Sequence, residues 1–201
     1  MRTRACLVLS IVAALCAVAA AQNAPKPLNV PMKWTPNEPP GPVPPIEVTG
    51  GGLYPLKFET TIDHREKGTA VGEHPDNKKP TVTVVSDSDI PGFFTEQVSA
   101  LLKRFGVTLT TDAAAKRILR MELLELWVVD AQSYTGTARA QVSILDDANR
   151  ELWSAIVIGS GENGGRNLKV INYQETFSNT IQAFVVNLVK TEAFQKSLKN
   201  Q

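Results

Sequence analysis

The chain has 201 residues, 43% hydrophobic and 20% charged, with two cysteines and a formal net charge of +1. That length and apolar content suit one ordinary domain with a buried core, and they exclude a chain disordered throughout or a small disulfide scaffold. The near-zero charge argues against a basic nucleic-acid footprint or a polybasic membrane-binding surface.

The first element in chain order is an address. Arg2 and Arg4 precede an uncharged run from Cys6 to Ala21 that is mostly Leu, Val, Ile and Ala and ends in Ala-Val-Ala-Ala-Ala. Positive start, apolar middle and small-residue end read as a signal peptide over 1–21, with Ala19 and Ala21 at the −3 and −1 positions. The run has 16 residues, short of the roughly 20 that a spanning helix needs, so no transmembrane helix is expected in the mature chain. Both cysteines, Cys6 and Cys16, lie inside this segment. Cleavage after Ala21 would remove disulfide, thiolate and cysteine-metal chemistry together. Leu15 precedes Cys16 where bacterial lipidation signals carry a small residue, so a lipid anchor at Cys16 is not expected. The expected location is the periplasm or outside the cell.

Residues 22–52 form the next unit. Nine of the thirteen prolines fall between Pro25 and Pro45, and the stretch closes with Gly50-Gly51-Gly52. Proline favours polyproline II and removes backbone donors, which predicts a disordered Pro/Gly-rich linker with Trp34 as an available anchor.

From Leu53 the pattern becomes periodic and predicts a single domain over 53–201. Tyr54, Leu56, Phe58 and Thr60 alternate with Pro55, Lys57, Glu59 and Thr61 as in a half-buried strand. A polar loop is expected over 63–80, then a β-branched strand over 81–85. Phe94, Val98, Leu101, Leu102 and Phe105 share a helical face, with Asp87 or Asp89 to cap it, Pro91 in the first turn and Gly106 to end it. Val107 and Leu109 suggest a short strand. Residues 113–129 have helix-forming composition, but Leu119, Met121 and Leu123 alternate with polar neighbours and predict a strand bulged near Leu123 and Leu124. Strands over 138–144 and 152–158 follow, joined by an Asp146–Asn149 hairpin turn. The last helix is expected to open at Asn172 with Glu175 as its capping-box partner, burying Phe177, Ile181, Phe184, Val185 and Leu188. A short terminal helix restarts at Thr191. The fold class is therefore α+β: an antiparallel or mixed sheet with two amphipathic helices on one face, preceded by a disordered tail.

Motifs that carry chemistry are few. Gly159-Ser160-Gly161-Glu162-Asn163-Gly164 matches G-x-G-x-x-G, yet a dinucleotide site needs a helix to start at once and a parallel strand beyond. Neither is expected, so the segment reads as a flexible loop and no cofactor is assigned. His64 and His74, flanked by Asp63, Glu66, Glu73 and Asp76, lack a zinc-site spacing, and no metal is assigned. Asp87 and Asp89 read as helix caps. Trp127 and Trp153 read as core or cross-strand packing, and as a binding face if exposed.

Ile62-Asp63-His64-Arg65, followed by Gly68 and Gly72, resembles the strand-end D-x-R pattern of the YajG-like bacterial lipoproteins. The strand ending at Asp87, the helix closing on Phe105-Gly106-Val107, the strand over 119–129, the turn at 146–149 and the C-terminal helix are similar to that family across 53–198. The resemblance implies an envelope-associated α+β domain without a catalytic centre. The leading expectation is a secreted or periplasmic non-catalytic protein that binds a protein or other envelope partner. The alternatives are a small-ligand carrier with a pocket between sheet and helices, and a hydrolase centred on Asp63, His64 and Arg65.

Overall fold

Residues that alternate between apolar and polar make strands with one buried face, and here they assemble around one long strand. The structure, a computed structural model, describes residues 25–39, 52–76, 79–165 and 167–199. The expected signal peptide and Cys16 lie outside the described residues. In chain order the elements are β1 (Leu28–Asn29), β2 (Leu56–Phe58), β3 (Ile62–Asp63), β4 (Ala70–His74), β5 (Val82–Val85), α1 (Ile90–Arg104), β6 (Leu109–Thr110), β7 (Arg117–Asp130), β8 (Tyr134–Leu145), β9 (Glu151–Asn163), α2 (Val170–Lys190) and α3 (Glu192–Leu198). The nine strands form one mixed sheet, and the fold is α+β as expected.

β7 pairs antiparallel with β8 along its whole length, and β8 pairs antiparallel with β9. On its other edge β7 receives β2, β3 and β4 in succession, all parallel to it. The register shifts between Leu123 and Glu125, which is the expected bulge. Before it Leu119, Met121 and Leu123 point inward, and after it Leu126, Val128 and Asp130 do.

Helix signals behave largely as expected. Asp89 caps α1 by accepting a hydrogen bond from Gly92 N–H at 3.0 Å, while Asp87 accepts from Asn29. Gly106 ends α1 at φ +89°, a conformation L side chains resist. α1 meets α2 through Phe94 and Phe184 at 5.2 Å, and α3 meets β9 through Phe194 and Trp153 at 5.6 Å. The hairpin turn is held by Asp146, whose Oδ1 accepts from the Ala148 and Arg150 backbones.

Five expectations change. The strand expected over 54–61 shortens to β2, with β3 just beyond its end, and the polar loop over 63–80 contains β4, held between β5 and β7. α2 opens at Val170 rather than Asn172 and its N-cap, Lys169, makes no side-chain cap bond. Glu175 instead accepts a hydrogen bond from Asn163 at 2.6 Å. Gly159 to Asn163 is not a flexible loop but the end of β9. Its glycines let α2 approach, since a β-carbon at Gly159 would stand 2.5 Å from Phe184 Cα and from the Thr180 carbonyl oxygen. One at Gly161 would stand 2.7 Å from Thr180 N. Gly136, paired with Gly161, and Ala138, paired with Gly159, complete a small-residue seat for the helix.

The fifth change concerns the tail. Residues 25–39 of the expected 22–52 linker lie on the domain, while 22–24 and 40–51 fall outside the described residues. β1 adds to β5, and Val30 is fully buried. Proline-rich chain keeps its carbonyls free, and α2 supplies partners from one ridge of residues spaced by four. Gln174 Nε2 donates to Pro31 O at 2.8 Å, Ser178 Oγ accepts from Thr35 N–H at 2.9 Å, and Gln182 Nε2 donates to Glu38 O at 3.0 Å. The segment is a strap, satisfying the buried polar side chains along one ridge of the helix.

Candidate functional site: a cleft on the open face of the sheet

The helices cover one face of the sheet and leave the outward side chains of β7, β8 and β9 on the other. Ile156 and Ile158 are 54% and 49% exposed there, with Leu152 at 44%. Large apolar side chains in such a row are unusual unless something covers them.

A cleft of about 300 Å³ opens on this face beside Trp127. Its origin is topological. β3 pairs with β7 only as far as Leu123, where His64 N–H donates to the Leu123 carbonyl at 2.9 Å. Pairing resumes where Gly72 meets Val128. The chain between spends more residues than β7 does over the same distance, so it loops outward through a turn at 66–69 with Gly68 at φ +55°. Residues 124–127 of β7 become the floor, and the loop becomes a wall that carries Arg65, Glu66 and Lys67. Arg139 of β8 closes the far side.

Charges here are mostly matched. Arg65, nearly buried, donates from Nε to Asp63 Oδ1 at 2.9 Å and from Nη2 to Oδ2 at 2.8 Å. Burial works to raise the Asp63 carboxyl, but the hydrogen bonds and charge of Arg65, with His64 adding to them, outweigh it and hold the group below its ordinary value. His64 Nδ1 lies 3.2 Å from Glu122, and Arg139 Nε lies 3.5 Å from Glu125. Lys67 Nζ sits over the Trp127 ring at 3.7 Å from its centroid.

The structure brings His64 and Arg65 to this cleft, with Asp63 held by Arg65, but does not join Asp63 to His64. Asp63 is committed to Arg65, and His64 turns to Glu122. His74 is elsewhere: its Nδ1 lies 3.0 Å from Asp130. Glu122 and Asp130 are eight residues apart on β7, roughly 26 Å along a strand, so the two histidines do not share a site. Among the described residues no three His, Cys, Asp or Glu side chains gather as metal ligands.

The His74 surroundings are a second polar cluster, buried at the end of the sheet. Asp130 is fully buried, and its Oδ2 also accepts from Leu168 N–H at 3.2 Å. Tyr134 Oη donates to Asn167 Oδ1 at 3.0 Å and packs edge-on against Tyr173 at 4.9 Å. Burial first, then the nearby Asp130 and Tyr134, pushes the Tyr173 hydroxyl far above its ordinary range. The cluster ties the loop before α2 to β4 and β7. Asp130 Oδ2 meets both His74 and the Leu168 N–H there, while its Oδ1 and the Tyr173 hydroxyl are buried without a hydrogen-bond partner among the described residues.

The two tryptophans, expected to behave alike, part company. Trp153 packs on Phe194 beneath the sheet, whereas Trp127 is half-buried on the open face. Between sheet and helices, where a ligand pocket was one expectation, Met121, Leu123, Phe177 and Phe184 fill the space. The signal for the cleft was present in the bulge, but its wall required knowing that 62–74 runs beside β7.

A mixed sheet with helices on one face and a cleft-bearing open face on the other defines an α+β domain whose sheet is covered on one side. No family model and no curated protein matches the chain. Solved structures do resemble it. A Xanthomonas campestris protein of family DUF330 aligns with TM-score 0.56 at 9% identity, covering 84% of this chain and 95% of that one. PelC from Paraburkholderia phytofirmans, solved as a dodecamer, gives 0.41 at 9% identity over 74% and 90%. A minor lipoprotein from Acinetobacter baumannii gives 0.37 at 14% identity over 72% and 93%. Of these three the first supports an inference, and at its level of identity that inference is the shared fold. No helix among the described residues is long and apolar enough to cross a membrane.

Proposed function

We infer that the chain is an exported, envelope-associated binding protein without catalysis of its own, of the YajG-like kind, that engages a protein partner through the open face of its sheet. The observation that supports this reading is the uncovered row of Leu152, Ile156 and Ile158 next to the Trp127 cleft. Apolar side chains at that exposure gain from being covered, and an adjoining cleft gives the contact a point of register. The paired charges around the cleft suit recognition rather than proton transfer, because Asp63 is neutralised by Arg65 and does not orient His64. The leader over 1–21 accounts for export, with cleavage after Ala21.

Photo-crosslinking in cells that export the protein tests the reading. A photoreactive residue at Ile156 or Ile158 is expected to give a discrete adduct, and one at Lys196 on α3 is not. Absence of an adduct from the open face, or equal adducts from both faces, would overturn it. Intact mass of the exported chain checks the leader, since a lipid on Cys16 would add mass and refute cleavage after Ala21.

A further inference from the structure

We propose that the cleft beside Trp127 is a seat for one basic side chain, an arginine or a lysine, presented by a protein partner, and that Lys67 is its internal occupant. The proposal rests on the binding role assigned above to the open face and names the group that its cleft receives.

An indole face attracts a cation through its quadrupole, and Lys67 Nζ already stands on it at 3.7 Å. The ring is there because the bulge turned Trp127 outward, and because the detour after His64 left residues 124–127 without a neighbouring strand on that edge among the described residues. The other cations of the cleft are committed. Arg65 is held by both oxygens of Asp63, and Arg139 faces Glu125. Glu66, which also lines the cleft, has no ion pair among the described residues. Once Lys67 swings away, an aromatic platform and an unmatched carboxylate remain, and that combination favours a cation over an anion.

Lys67 is placed to leave. Its backbone is fixed, with Ala70 N–H donating to its carbonyl at 3.0 Å, and it sits in a turn with Gly68 at φ +55°. Only its exposed side chain need move, through rotamers that cost little at a surface. A partner's basic side chain therefore competes with Lys67 for the same ring, and the resident cation weakens binding by the worth of its own contact.

The test uses the full chain and three short blocked peptides, acetyl-Gly-Arg-Gly-amide, its Lys analogue and its Glu analogue, followed through the Trp127 indole N–H resonance. The Arg and Lys peptides are expected to shift that resonance, and Lys67→Ala is expected to bind them about two- to five-fold more tightly, the ratio an exposed cation–π contact represents. Trp127→Leu is expected to abolish the response in either background, read from neighbouring backbone resonances. Equal affinity in wild type and Lys67→Ala, or equal response to the Glu peptide, would overturn the proposal. Should crosslinking from Ile156 succeed while the basic peptides fail to bind, the open face keeps its role and the cation seat falls.

Discussion

Adding a single methyl group at Gly159 tests how the long helix sits on the sheet. A β-carbon there meets Phe184 Cα and the Thr180 carbonyl oxygen at 2.5 Å, where ordinary contact begins at 3.4 Å. The overlap is about 0.9 Å, and it is against helix backbone, so no side-chain rotation relieves it. α2 must lift, and it cannot do so locally, because Thr180 is seated against Gly136 and Gly161 as well. Overpacking of a filled interior costs about 1–3 kcal/mol, and contact with main chain places Gly159→Ala near 3 kcal/mol. At about 2–4 °C per kcal/mol for a domain of this size, the melting temperature falls by roughly 6–12 °C. Gly164→Ala is the control, since a β-carbon there meets nothing within 4 Å, and it should stay within about 0.5 kcal/mol of wild type. Urea denaturation followed by far-ultraviolet circular dichroism measures both. If Gly159→Ala matched Gly164→Ala, the glycines would be serving a loop, and the account of helix packing would be wrong.

Two further outcomes follow from the strap and the cleft. Val30→Ala removes two fully buried methyl groups from the strap, and should cost about 2 kcal/mol by urea denaturation; an unchanged midpoint would show that residues 25–39 do not pack. Because Asp63 is held below its ordinary value, its contribution to stability is present above the unfolded carboxyl range and is lost as pH falls through the lowered value. In Arg65→Met burial acts unopposed by that partner, so the Asp63 carboxyl, followed by carbon NMR, should titrate higher than in wild type, and no upward movement would refute the assigned cause.

The parts of this fold that could be read from residues alone are those whose burial pattern is local. β7, β8 and β9 alternate, α1 and α2 repeat apolar residues at helical spacing, and Asp89, Gly106 and Asp146 mark ends and turns by their own chemistry. The strap could not be read this way. Its prolines indicate an extended chain but not what its backbone groups meet, and their partners, Gln174, Ser178 and Gln182, lie more than 140 residues further on. β4 was hidden for a similar reason: Gly72, Glu73 and His74 look like loop residues, and they become a strand because β5 and β7 stand on either side. Gly159 and Gly161 imitated a phosphate-binding motif because glycine serves close backbone approach in both settings, to a pyrophosphate in one and to a helix here.

The bulge links these levels. Without it, the inward phase set by Leu119, Met121 and Leu123 would carry on to Glu125, Trp127 and Val129 and would turn Leu126, Val128 and Asp130 to solvent. One added residue exchanges those sets. It buries Leu126 and Val128 against the helices, brings Asp130 inside to meet His74, and leaves Trp127 outside with Lys67 on its face. A strand of 14 residues with uninterrupted alternation would have made a regular sheet with a buried tryptophan and no cleft. The same irregularity also explains why β3 and β4 are separate strands. They pair with β7 on either side of the bulged stretch, and the chain between them departs to form the cleft wall. The cleft on the open face is therefore a consequence of where β7 changes phase, and Leu124, half-buried at that point, is the residue whose presence makes the difference.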